Sequence, residues 1–175
     1  SDYLLDKLFL EQKCFKLESV VIDGKRGLFK AFCDTPVQMC HFHQLAITRR
    51  YLTSRPKLES AIELRAIALT LTVSNEKSFT SLLNIWYEKW EVFLKEKTYS
   101  LDGKHWQHTH KRVRSAYRSL KTNLPYLFTY QNYPNLKIPN TTNSLDGFFN
   151  KLKSLLNIHR GLTPKRRLKL IREIL

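Results

Sequence analysis

Apolar side chains at Leu4, Leu5, Leu8 and Phe9, with polar residues between them, give residues 3–13 the 3.6-residue period of an amphipathic helix. A β-branched run follows, Ser19-Val20-Val21-Ile22, which is stopped by Asp23-Gly24 and succeeded by the helix-compatible KRGLFKAF. This order predicts strand, tight turn, helix. Residues 37–42 (VQMCHF), after Pro36, predict a second strand, and residues 43–52 a further helix. Such alternation predicts an α/β layer with a parallel or mixed sheet.

From Pro56 to about Asn123 the strand signal disappears, and three long helical patterns take over, separated near Ser74-Asn75 and Asp102-Gly103. The middle one, residues 78–97, places Phe79, Leu82, Leu83, Trp86, Trp90, Phe93 and Leu94 on one stripe, so both tryptophans are expected to pack inside. In the third, Val113, Ala116, Tyr117 and Leu120 form the apolar face. The stretch TNLPYLFTYQNYPNLKIPNTTN reads as a loop. A helix then starts at Asn143 or Ser144, with Leu145, Phe148, Phe149, Leu152 and Leu156 on its buried side. His159-Arg160-Gly161 ends it, and Thr163-Pro164 opens a last basic helix, with proline in its first turn. The expected organisation is a core over 1–54, a helical insertion over 55–124, and a return to the core over 125–175.

Charge sharpens this picture. The 175 residues carry 30 lysines and arginines against 15 acids, a formal net of +15. Residues 103–172 hold 15 of the basic residues and a single acid, Asp146, whereas residues 1–102 are close to neutral. A polyanionic partner facing the C-terminal half is expected. With 42% hydrophobic residues and only 5 glycines and 6 prolines, a disordered basic tail is excluded. No apolar run approaches a membrane span and no signal-peptide pattern opens the chain. Three cysteines, Cys14, Cys33 and Cys40, without framework spacing fit a reducing compartment, so a cytoplasmic, nucleoid-associated location is expected. Met39 is the only methionine, so either an initiator has been removed ahead of Ser1 or the chain is a piece of a longer protein.

Several residues invite a chemical role, each beside a plainer one. Asp23 stands at the end of a predicted strand, where open α/β sheets place ligands, or it is simply an Asp-Gly turn. Asp146 is a metal ligand or, with Asn143, part of a capping box. Cys40 and His43 have a zinc-like gap but no second pair at comparable spacing; a buried cysteine and a hydrogen-bonded histidine at a strand-to-helix junction is the plainer reading. Lys111, Arg114, Arg118 and Lys121 recur at helical spacing, as a solvated face or as phosphate contacts. Lys153, Arg160, Lys165, Arg166 and Arg167 extend the basic character. Tyr126, Phe128, Tyr130 and Tyr133 either stack on unpaired bases or anchor the loop.

Taken together, VVIDGKRGLFKAF, TPVQMCHFHQLAITRRYLT and NTTNSLDGFFNKLKSLLNIHRGL resemble bacterial insertion-sequence transposases of the Mutator-like superfamily, over essentially the whole chain. The resemblance implies a partial RNase H-like mixed sheet with a large all-helical insertion before the last catalytic helix. It also implies three carboxylates holding two Mg²⁺ or Mn²⁺ ions, about 3.5–4 Å apart in such sites, for strand cleavage and transfer. Asp23 matches the second carboxylate, Cys40 and His43 the Cys-x-x-His pair, and Asp146 the third acid, which is glutamate in the family. The first carboxylate is expected to precede Ser1, which suggests a fragment or truncated element. The partner implied is double-stranded DNA, transposon ends and target, and a homodimer is compatible. Two other readings stand beside it: an inactive transposase remnant serving as a DNA-binding or oligomerisation module, and a different RNase H-like nuclease or resolvase.

Overall fold

The computed structural model describes residues 16–158 and 161–174, without the side chains at 144–146, 149, 172 and 174. The expected helix over 3–13, Cys14, His159 and Arg160 lie outside the described residues. The fold is mixed α/β, mostly helical, with two small sheets, and divides into two compact units, Ser1–Thr141 and Thr142–Leu175.

The first unit opens with a parallel β-α-β turn. Strand β1 (Val20–Ile22) and strand β2 (Val37–Met39) pair in register Val20 to Val37 and Ile22 to Met39, joined by helix α1 (Arg26–Ala31). Ile22, Ala31, Phe32 and Val37 are buried together, with Phe29 and Tyr126 packed on them. The second strand is shorter than the six residues expected. After Met39, Cys40 already occupies the N-cap of helix α2 (His41–Leu52), and His41 is its first residue.

Helices α2, α3 (Glu59–Leu69), α4 (Glu76–Lys95) and α5 (Lys111–Leu127) enclose the main core. Helix α4 begins where Asn75 Oδ1 accepts the Ser78 amide at 2.8 Å, an N-cap that satisfies one of the first-turn donors. Phe79, Leu83, Trp86 and Leu94 form its buried stripe, while Leu82 is exposed and Trp90 only partly covered. Trp86 donates its indole N–H to Ser60 O at 3.0 Å and stacks on Tyr117, which reconciles its one polar atom with a buried position. On α5, Val113, Ala116, Tyr117 and Leu120 are all buried, as the spacing requires.

Helix α2 turns a polar face to α5. Gln44 is fully buried, donating to Ser119 Oγ at 3.2 Å and accepting from Asn123 Nδ2 at 2.8 Å, and Thr48 Oγ1 donates to Gln44 O. Buried amides survive there because each is paired.

Two expectations give way here. The strand signal does not vanish between Pro56 and Asn123: strands β3 (Lys97–Tyr99) and β4 (Trp106–His108) form an antiparallel hairpin between α4 and α5. The stretch from Thr122 is not a loop as far as Leu136 either, and is irregular over 137–142. Helix α5 runs through Pro125 to Leu127, and a short helix α6 (Thr129–Asn132) and a 3-10 turn over Pro134–Leu136 follow. The physical reason is tertiary capping of the α5 end. Leu127 O accepts from Gln38 Nε2 at 2.9 Å and lies 2.6 Å from His41 Nε2, while Gln38 Oε1 accepts the Tyr130 amide at 2.9 Å. Phe128 is 1% exposed and Tyr126 and Tyr130 pack against the cores, so these three anchor the stretch, whereas Tyr133 is exposed.

His41 yields a pH prediction. It is fully buried, its Nε2–H donates to Leu127 O, and its Nδ1 has no partner among the described residues. Burial pushes its pKa below the ordinary 6.5, against the opposing pull of the Leu127 hydrogen bond. The unfolded chain then binds the proton more readily, so stability present above pH 6.5 is lost as the pH falls toward the lowered folded value. The contribution is at most about 1.4 kcal/mol per pH unit. Urea midpoints measured between pH 7.5 and 5 should fall more steeply for the parent than for His41→Asn; parallel curves would refute it.

In the second unit, helix α7 (Asn143–Ile158) begins where expected and buries Leu152. Helix α8 (Pro164–Ile174) starts on Thr163, whose Oγ1 accepts the Arg166 amide at 3.5 Å, with Pro164 as its first residue. No helix among the described residues is long and apolar enough to cross a membrane.

Candidate nucleic-acid interface

The turn after β1 is built for glycine. Gly24 has φ +92°, and a Cβ there would lie 2.6 Å from Met39 Cε. Asp23 Oδ1 accepts the Lys25 amide at 3.1 Å, and Oδ2 is 3.9 Å from Lys25 Nζ, with the carboxylate about one-third exposed. Its contacts are those of an Asp-Gly turn that also carries a lysine.

Beside this turn, α1 and α5 form the walls of an open polar cleft of about 620 Å³, with Tyr51 of α2 at its edge. Gly24, Arg26, Phe29 and Lys30 line one side; Ser115, Arg118, Ser119, Thr122, Asn123 and Tyr126 line the other. Arg26 and Lys30 are four apart on α1, and Ser115, Ser119 and Thr122 fall on one face of α5, so helical spacing alone aligns each set. The rings of Phe29 and Tyr126, with centroids 4.4 Å apart, meet across the two sides. Arg26, Lys30 and Arg118 are exposed, and among the described residues none has a carboxylate within ion-pair distance. Three exposed cations among hydroxyl and amide donors suit an anion with several oxygens, such as a phosphodiester.

The other members of the expected α5 stripe go elsewhere. Arg114 Nη1 donates to Leu94 O at 2.7 Å, closing the C-terminal end of α4, and Arg112 Nη2 does the same for Arg50 O at 3.0 Å on α2. A cation over unsatisfied terminal carbonyls also answers the helix dipole. Lys121 lies against the rings of Tyr87 and Tyr117, and Lys111 reaches Gln107 Oε1 at 3.4 Å. Only Arg118 of the four faces the cleft. Arg26 and Lys30 were not among the candidates; their signal was an i, i+4 pair immediately after a glycine turn.

Cys40 is buried at the junction of β2 and α2, and its amide donates to Ile22 O at 2.8 Å. The hydrogen-bonded histidine at this junction is His41; His43 has a buried Nδ1 without a partner among the described residues and meets the Phe42 ring edge-on. In the second unit, Lys153 is exposed on α7, and Lys165, Arg166 and Arg167 are exposed on the first turn of α8. Among the described residues, no group of three or more histidine, cysteine, aspartate or glutamate side chains could hold a metal ion. Asp146 lies on α7 with its side chain outside the described set. The described donors therefore do not by themselves make a two-metal site. No family model, curated protein or solved structure matches the chain.

Proposed function

We propose that this protein binds DNA through the cleft between α1 and α5, and that it is the catalytic part of a transposase with an RNase H-like core. The observation that carries the binding reading is the cleft itself, where Arg26, Lys30 and Arg118 stand, among the described residues, without acidic partners beside the Asp23 turn. The enzymatic part of the reading is supported by the resemblance of the Asp23, Cys40-x-x-His43 and Asp146 segments in their order along the chain. By that resemblance Asp23 and Asp146 are each a proposed ligand of divalent metal, which would supply a Lewis acid for phosphoryl displacement.

The test is duplex binding as a function of salt. Each phosphate contact contributes about 0.9 to the slope of log K against log salt, so Arg26→Gln, Lys30→Gln and Arg118→Gln together should flatten it by about 2.7. At 0.15 M salt this corresponds to a loss on the order of a hundredfold in affinity. An unchanged slope would remove the cleft from the interface. The catalytic reading has its own check in Mn²⁺-dependent nicking of end DNA, with Asp23→Asn as the comparison. A protein that binds but does not nick, also when extended upstream of Ser1, is the inactive DNA-binding remnant.

A further inference from the structure

The hairpin of β3 and β4 carries a second surface, and we infer that its Tyr99 and Trp106 stack on the bases of unpaired DNA. This rests on the nucleic-acid reading above, and gives it a strand-state preference. In the antiparallel register, Tyr99 faces Trp106 and Lys97 faces His108. The two-residue alternation of a strand then puts Lys97, Tyr99, Trp106 and His108 on one face and Thr98 with Gln107 on the other.

That face is aromatic, basic and open. Tyr99 is 61% and Trp106 52% exposed, whereas Trp86 is buried and the tyrosines after Thr122 mostly pack inward. Lys97 Nζ lies 4.0 Å from the Trp106 ring centroid and, among the described residues, has no carboxylate within ion-pair distance. A cation–π contact at an exposed site is weaker than a charge-assisted bond to phosphate, so Lys97 is free to exchange one for the other when a base stacks nearby. The two acids of the segment are engaged elsewhere. Glu96 Oε2 bonds His110 Nε2 at 2.8 Å, and Asp102 is held in the tip turn by Ser100 and by the Lys104 amide. Burial of a partner protein's apolar side chains would not call for an ammonium on the ring, whereas a nucleotide presents a π-face and a phosphate together.

The hairpin is also firmly aimed. Thr109 N donates to Glu96 O at 3.0 Å, Thr98 and Thr109 hydroxyls meet at 2.8 Å, and His110 stacks on Phe93. Its base is thus fastened to the end of α4 and the start of α5. At the tip, Gly103 takes φ +68° and Ser100 N donates to His105 O at 2.9 Å.

Titrating the full chain with a (dT)₁₂ single strand while following tryptophan fluorescence should quench the Trp106 contribution, and Trp106→Leu should abolish the response. Tyr99→Ala with Trp106→Ala should weaken (dT)₁₂ binding by about tenfold or more and 12-base-pair duplex binding less than about twofold, with Trp106→Phe restoring most of the loss. Equal losses on both DNAs, or none on (dT)₁₂, would overturn the inference while leaving duplex binding by the cleft intact. Quenching by poly-glutamate and not by (dT)₁₂ would also overturn it, in favour of an acidic protein partner. Failure to bind either DNA would overturn both the hairpin inference and the nucleic-acid reading beneath it. Circular dichroism melting of each variant guards against misfolding, because the substituted side chains are exposed.

Discussion

Phe79→Ala is expected to lower the unfolding free energy by about 3–5 kcal/mol. Phe79 is 0% exposed and sits one turn into α4, its ring 5.6 Å from that of the equally buried Phe128. Truncation removes the transfer free energy of the ring and leaves a void that fixed helices cannot fill. It also removes an aromatic pair worth about 0.5–1.5 kcal/mol beyond its area. Since domains of this size are stable by about 5–15 kcal/mol, this is a large fraction of the total. Urea unfolding at 25 °C checks this, with Phe79→Leu as the milder comparison. A loss under about 1 kcal/mol for the alanine variant would mean that Phe79 does not stand in a closed core.

The second large effect belongs to a polar side chain. Gln38 is fully buried in β2, and its amide makes three bonds: Nε2 to Met39 O at 2.7 Å and to Leu127 O at 2.9 Å, and Oε1 from the Tyr130 amide at 2.9 Å. Removing it strands Met39 O and Tyr130 N–H away from water, whereas Leu127 O keeps His41. Two orphaned buried groups cost about 1–3 kcal/mol each, so Gln38→Ala should destabilise by about 2–6 kcal/mol. Gln38→Met keeps the volume and loses the bonds, so it should retain most of that loss. If Gln38→Met were as stable as the parent, the bonds would contribute little and the alanine effect would be a cavity. Because Gln38 and Phe79 both bear on residues 127–130, the double variant should be non-additive.

How far the sequence could be read follows from where each element gets its stability. The buried face of α5 was legible because four apolar residues at helical spacing carry it, and β1-α1-β2 was legible because β-branched runs are punctuated by Asp23-Gly24 and Pro36. The hairpin was not. Its strands are three residues long and exposed along nearly all their length, so no apolar alternation marks them. The continuation of α5 past Pro125 was hidden for a different reason: proline, asparagine and tyrosine favour loops locally, and the caps that hold the helix end come from Gln38 and His41, some 90 residues earlier. On α2 the packed face is His41, Gln44 and Thr48, which hydrophobic periodicity cannot single out.

The candidate interface shows the same split. Arg118 was legible from the charge excess of the C-terminal half. Arg26 and Lys30 were not, because residues 1–102 are nearly neutral as a sum. Three of that half's acids pair with its own surface lysines: Glu63 and Glu59 bind Lys89, and Glu91 binds Lys95. Hydrogen bonds from Lys89 and then Trp90 hold the Glu63 carboxyl below its usual range. A sum over 102 residues therefore could not show that Arg26 and Lys30 stand together on α1.

The clamp on the end of α5 has a consequence for the order in which the chain organises itself. Strands β1 and β2 are close in sequence and can meet early, yet Val37 O receives its hydrogen bond from Thr129 Oγ1, and Gln38 finds Leu127 and Tyr130 only after about 90 further residues. During synthesis β1 and β2 emerge before residues 127–130, so these long-range bonds are expected to form after the local contacts of the intervening helices. The final pairing of Val37 and Gln38 is thus expected to wait for the docking of residues 127–130.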